Sequence, residues 1–303
     1  MTWKTFDELT EMKAKAASVF PVLLGLAYSL YHFHTARLFP LFLFLLSAVL
    51  FHCFVDIWDN YNDYHHAVDT ADYKVNTNII GRENLNLTTI KGLLILFFVS
   101  SSGLGLWIAA MTGWSVFWIG LMCYFVGIFY AWAPRGFRTL SSLPVGEFSS
   151  GLTMGYFIFL LAVIIGGGTH FALSALTFLQ TFIVAFPSVL LIKNLMLANN
   201  TCDLEEDEEN HRFTIVHYLG KKWAVRWWLS SLVLAFLFVL LAIIWRQIPW
   251  SVALIFLLIP LMKKLATAYL ARQIKKETFI ASAKILFIFS VVQTALFYLG
   301  LVI

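Results

Sequence analysis

Charge is what this sequence has least of. Asp, Glu, Lys and Arg make up 13% of its 303 residues, about half the share found in a soluble domain. Hydrophobic residues make up 60%. A soluble globular fold is excluded, because it would leave far too much apolar surface in water. Cysteine is also scarce. Cys53, Cys123 and Cys202 form no disulfide framework and show no zinc or iron ligand spacing. With no competing Cys/His set, a metal is expected to be held by oxygen. No cleavable signal peptide is expected, since Met1 to Lys15 is charged and mildly amphipathic and the first apolar run is as long as a full span. The net charge of +4 says little about partners, and no nucleic-acid partner is expected.

What the sequence does have is long apolar runs, each near the roughly 20 residues that cross a bilayer. Spans are predicted near 16–35, 39–60, 91–111, 114–133, 148–168, 172–200, 223–245, 249–271 and 279–301, in one domain over 1–303. The fold class is all-α, a polytopic membrane protein. The eighth span is interrupted by Pro260 and followed by Lys263-Lys264. With the N-terminus cytosolic, 17 of the 21 Lys and Arg residues fall on cytosolic segments. Only Arg37 and Arg246 face the other side, and Lys193 and Lys284 lie inside spans. That bias obeys the positive-inside rule, and an even number of spans would scramble it. The expected location is the cell membrane, with the C-terminus opposite the cytosol. The long cytosolic connections 61–90, 134–147 and 201–222 are candidates for function.

Eleven of the 17 acidic residues sit in two clusters at cytosolic span ends. The first reads Asp56-Ile57-Trp58-Asp59-Asn60-Tyr61-Asn62-Asp63, with Asp69 and Asp72 beyond. The second reads Asn199-Asn200-Thr201-Cys202-Asp203-Leu204-Glu205-Glu206-Asp207-Glu208-Glu209. Asp56, Asp59 and Asp63 are spaced i, i+3, i+7 on one helix face, and Asp203 and Asp207 i, i+4 on another. Carboxylates leaving an apolar helix are costly to place and mark a functional site. Mg²⁺ takes oxygen ligands, typically one or two carboxylates plus substrate phosphates. Two such helix ends facing one cavity can hold Mg²⁺ ions, two in the expected arrangement, that bridge a diphosphate. Asp59, Asp63, Asp203 and Asp207 are the expected ligands. Asp56 and Asp69 stand between ligand and solvated helix end, and Asn200 is an added candidate ligand. Glu205, Glu206, Glu208 and Glu209 read as a solvated helix end. His52 reads as a hydrogen-bonded packing residue.

These motifs resemble the UbiA superfamily of membrane prenyltransferases, in particular the branch acting on 1,4-dihydroxy-2-naphthoate. That branch carries Asn-x-x-Asn-Asp-Tyr-x-Asp-x5-Asp. Here the Asn-Asp pair is reversed to Asp59-Asn60, and Ala67 replaces the usual Gly. The second motif is matched by Asn199-Asn200, Asp203, Asp207, His211-Arg212-Phe213-Thr214 and Leu219-Gly220, with Cys202, His211 and Arg212 replacing Arg, Gly and Lys. Gly81-Arg82 and a stretch from Tyr130 to Gly146-Glu147 are also similar. The resemblance covers about residues 20–300. It implies nine helices around a central cavity open toward the cytosol. It implies Mg²⁺-dependent transfer of a polyprenyl chain from its diphosphate to an aromatic acceptor, with the naphthoate losing CO₂ to give demethylmenaquinone, a step of menaquinone biosynthesis.

Under that resemblance Arg82 and Lys74 are candidates for the diphosphate, with Asn199 and Asn200 beside them. Lys193, seven residues before Asn200, is expected on the same face, deeper in the membrane, reaching a diphosphate oxygen or the acceptor's carboxylate. Tyr61 and Tyr130 are candidates to touch the acceptor, although interfacial tyrosines are common. Arg138 reads as positive-inside anchoring and Lys284 as a snorkelling lysine. A 4-hydroxybenzoate acceptor stays open. So does a cation transporter, which would want acids near the midplane with access from both sides.

Overall fold

The computed structural model describes residues 1–66 and 73–303. Asp69 and Asp72 lie outside the described residues. Among these residues nine helices are long and apolar enough to cross a membrane. A short amphipathic helix, α1 (Trp3–Leu9), is capped by the Thr2 side chain and followed by a 3₁₀ turn over Met12–Lys15. The spanning helices begin with α2 (Ala16–Phe33) and α3 (Leu38–His66). A single turn, α4 (Ile79–Arg82), precedes α5 (Leu87–Thr112), which is separated from α6 (Trp114–Ala131) by Gly113 alone. The fifth span runs Gly146–His170 and contains α7 (Gly146–Ser150) and α8 (Ile158–Gly167). Then come α9 (Ala175–Cys202), the acidic turn α10 (Leu204–Glu209), α11 (Ile215–Ile244), α12 (Ile259–Ala271) and α13 (Phe279–Val302).

The nine predicted spans are all present, with ends shifted for local reasons. The second helix continues to His66, so Asp63 stays on its regular face. Thr214, an extended residue at the N-cap position, starts α11, which bends at Gly220 (φ 73°). Pro260 does not break the eighth span. That span enters as a 3₁₀ run, Trp250–Leu258, and Pro260 occupies the first turn of α12, where its missing N–H costs nothing. Lys263 and Lys264 therefore lie on α12 itself rather than in a cytosolic connection.

α9 is the central post. Among its buried residues are Val189, Ile192 and Lys193. The fifth span presses against it backbone to backbone. A Cβ at Gly151 would stand 2.5 Å from the Val189 carbonyl oxygen, and one at Gly155 2.5 Å from the Val189 nitrogen. Small residues of this kind let membrane helices approach closely. The outer faces of α3, α5, α6 and α11 expose Phe42, Leu96, Trp118 and Leu237. In a bilayer such side chains face lipid, so their exposure carries no hydrophobic penalty.

Candidate active site

A cavity of about 660 Å³ opens between α3, α6, α9 and the turn that follows α9. Asp56, Asp59 and Asp63 line it from α3, Asn199 from α9, and Asp203 and Asp207 from the start and body of the acidic turn. The two acidic helix ends thus converge on one space, as their helical spacing predicts. Arg212 ties them together. Its Nη1 lies 3.4 Å from Asp63 Oδ2, and its Nε lies 3.4 Å from Asp207 Oδ1. The cavity continues along α3 past Val55, Phe51 and Phe44, facing Gly127, Cys123 and Val116 of α6. From Asp59 to Phe44 is 15 residues of helix, about 22 Å at roughly 1.5 Å per residue.

The electrostatics of the polar end are those of paired charges. Lys275 donates to both Asn199 Oδ1 and Asp203 Oδ2. Lys15 pairs with Asp56, and both side chains are largely buried. His52 Nε2 stands 3.7 Å from the same carboxylate, and its Nδ1 is 2.6 Å from Ser18 Oγ. Burial pushes the Asp207 carboxyl up to about 7, with Arg212 opposing the shift. Its Oδ2 is buried and has no hydrogen-bond partner.

That orphaned oxygen, in an all-oxygen donor set beside a second acidic helix end, fits Mg²⁺. Asp59, Asp63, Asp203 and Asp207 are the residues that would hold it. Among the described residues no three His, Cys, Asp or Glu side chains form a ready-made metal cluster. Three of the four acids are instead matched with Arg212 or Lys275. Two other expected ligands stand differently. Asp56 is neutralised by Lys15. Asn200 is buried and turned from the cavity, donating to Glu147 Oε1 at 2.7 Å.

Other expectations separate in the same way. Tyr130 lines the cavity. Tyr61 does not. It stacks on Trp58 with centroids 6.0 Å apart and packs into the small apolar cluster beneath α4. Arg82 reaches Glu8 at 2.5 Å and Glu83 at 3.6 Å, outside the cavity. The Glu8 hydrogen bond raises its already high pKa further. Lys74 lies over the Tyr64 ring at 4.7 Å. Its carbonyl oxygen would be 1.7 Å from a Cβ at position 81, so only glycine fits that turn. Lys193 does share a face with Asn200, but that face is turned from the cavity toward the fifth span, where Asn200 meets Glu147, and toward α11, where Lys193 meets Ser231. It is 1% exposed, donates to Ser231 Oγ at 2.5 Å and lies 4.0 Å from the Trp227 ring centroid. Glu205 and Glu208 are exposed and paired with Lys221 and His217. Glu206 is exposed, as expected for a solvated helix end, and also lines the cavity.

Sequence reasoning missed several residues. Glu11, Arg138 and Lys275 line the cavity, Lys15 pairs with the cavity-lining Asp56, and Glu147 anchors Asn200 from behind. Arg138 also stacks over Phe213, 4.7 Å from its centroid. Their common signal was a basic or acidic residue at a span end or in a connection between spans. Too many residues share that signal for it to select these.

The model of the UbiA prenyltransferase family matches residues 18–291. A 1,4-dihydroxy-2-naphthoate octaprenyltransferase of Bacillus subtilis (strain 168) is 28% identical over 259 residues, covering 84% of this chain and 78% of the relative. Among solved structures, an apo UbiA homolog from Aeropyrum pernix K1 superposes with a TM-score of 0.71 at 14% identity, covering 92% of this chain and 96% of that one. A digeranylgeranylglyceryl phosphate synthase gives 0.65 at 16% identity, over 99% and 98%. A UbiA homolog from Archaeoglobus fulgidus bound to GPP and Mg²⁺ gives 0.60 at 15%, over 99% and 100%. These likenesses show the fold.

Proposed function

Because the chain belongs to the UbiA prenyltransferase family, we propose that it transfers a polyprenyl group from polyprenyl diphosphate to an aromatic acceptor, 1,4-dihydroxy-2-naphthoate, with loss of CO₂. The observation that carries this reading is the convergence of both acidic helix ends on one cavity with an apolar arm. The acceptor is taken from the name of the B. subtilis relative.

The residues divide the work by charge and polarity. Asp59, Asp63, Asp203 and Asp207 would hold Mg²⁺, which when bound would neutralise negative charge developing on the diphosphate. Arg212, already between the two acidic ends, adds a fixed positive charge where the leaving group departs. Such preorganised charge acts most strongly in a water-poor site. The arm walled by Phe44, Phe51, Val55 and Val116 takes the apolar chain and keeps water from the allylic carbon. The ring carbon of the acceptor attacks that carbon, and the carboxyl leaves as CO₂. Tyr130 lies on the wall between the carboxylates and the arm and is the aromatic residue best placed to contact the acceptor. The protein works in the cell membrane, with the N-terminus and the acidic mouth on the cytosolic side.

The test uses purified protein in detergent with Mg²⁺, a labelled polyprenyl diphosphate, and 1,4-dihydroxy-2-naphthoate or 4-hydroxybenzoate in parallel. A decarboxylated prenyl-naphthoquinol, identified by mass, is the expected product. Product from the benzoate alone would move the acceptor while keeping the chemistry. No product with either, from folded protein, would sink the reading.

A further inference from the structure

Lys275 stands apart from the other cations of the cavity. It comes from the connection between α12 and α13, outside both acidic helix ends, and its ammonium donates to Asn199 Oδ1 and Asp203 Oδ2. The main chain around it is a closed turn. The Ile274 N–H donates to Thr278 Oγ1 at 2.9 Å, and the Thr278 N–H returns to the Ile274 carbonyl at 2.8 Å. The backbone is therefore fixed while the four-carbon stem is free to swing.

Two lysine–aspartate pairs at this cavity differ in what they cost to break. In Lys15–Asp56 the side chains are 6% and 14% exposed, and in Lys275–Asp203 they are 45% and 17%. Opening the first leaves a buried charge without compensation. Opening the second returns a half-exposed ammonium to water, at little cost. Asp203 is also one of the four carboxylates suited to Mg²⁺. A divalent cation arriving there repels the ammonium from its partner. The nearest new anion is the diphosphate that arrives with the metal. A lysine has three donors, so Asn199 can keep one while the others change partner.

We propose that Lys275 is an exchangeable counter-ion. It holds Asp203 in the substrate-free protein and moves onto the diphosphate oxygens when metal and diphosphate enter. This makes it a substrate-binding residue supplied by the α12–α13 turn, and it rests on the diphosphate reading above. The neighbouring Lys276 is exposed and does not line the cavity, so it serves as the control.

The experiment is calorimetric binding of Mg²⁺ alone, and of inorganic diphosphate with Mg²⁺, to the purified full chain and to Lys275→Met, Lys275→Arg and Lys276→Met. Charged hydrogen bonds of this kind set the expected loss: diphosphate binds Lys275→Met about tenfold more weakly, or worse. Mg²⁺ alone binds that variant as well as wild type or better, because Asp203 is released. Lys275→Arg keeps most of the diphosphate affinity, and Lys276→Met matches wild type. Unchanged diphosphate affinity in Lys275→Met would make the lysine a mere placeholder and overturn the proposal. Joint loss of Mg²⁺ and diphosphate binding would make it structural and overturn it equally. Diphosphate binding without turnover of any prenyl diphosphate by wild type would defeat the functional reading and leave this inference standing. Absence of diphosphate binding by wild type would defeat both.

Discussion

Asp59 and Asp207 carry the argument at the level of single residues, since they come from the two separate acidic stretches and line one cavity. On the proposed function, replacing either by Ala would remove a metal ligand acting where charge develops. The expected loss in kcat is about a hundredfold or more, with an unchanged elution profile and thermal unfolding curve in detergent. Activity within a few-fold of wild type in either variant would remove that residue from the site. Lys193 sits on the other side of the ledger. It faces Ser231 and Trp227 rather than the cavity, so Lys193→Ala should lower the unfolding midpoint, consistent with a cost of about 1–3 kcal/mol. Its KM for prenyl diphosphate should stay within about twofold of wild type, a small fraction of a tenfold change in binding. A selective rise in that KM would return Lys193 to the site. The carboxylates were legible in the sequence because their spacing alone puts them on one face. The direction of Lys193 was not. Seven residues correctly align it with Asn200, but only packing of α9 against the fifth span and α11 decides that both point away from the cavity.

Among the elements, the fifth span and α9 set the geometry of the second acidic end. Gly151 and Gly155 let the two backbones meet at Val189, and Glu147 at the head of the same span takes the Asn200 amide. A side chain at 155 has no room, and the contact is backbone, which cannot swing aside. Gly155→Leu should destabilise by at least the roughly 1–3 kcal/mol of an overpacked core. Gly120→Ala on α6, where nothing lies within 4 Å of the added carbon, should leave the unfolding midpoint unchanged. Equal midpoints for the two variants would show that the close approach is not needed. The sequence marks the span but not this contact, because glycine is common in membrane helices whether or not they touch. Pro260 shows the reverse limit. Read alone it interrupts a span, whereas a 3₁₀ entry places it in the first turn of α12.

For the whole molecule, hydropathy and charge bias between them made nine spans and the two acidic helix ends on one side readable, since both follow from the cost of polar groups in hydrocarbon. What they left unread was which cations turn inward. Arg138 and Lys275 belong to two different connections, and only closure of the bundle brings them to one cavity. The orientation predicts that a single reporter cysteine at Lys4 reacts with a membrane-impermeant reagent from the cytosolic side, and one at Val302 from the opposite side. Labelling of both from one side would refute it. The account stands or falls on whether the two acidic ends act on one ligand. The direct measurement is calorimetric binding of inorganic diphosphate, with and without Mg²⁺, to wild type, Asp59→Asn, Asp203→Asn and the double variant. The account predicts Mg²⁺-dependent binding that each single substitution removes, with no further loss in the double. A single variant that binds as tightly as wild type would contradict it, because one acidic end would then suffice.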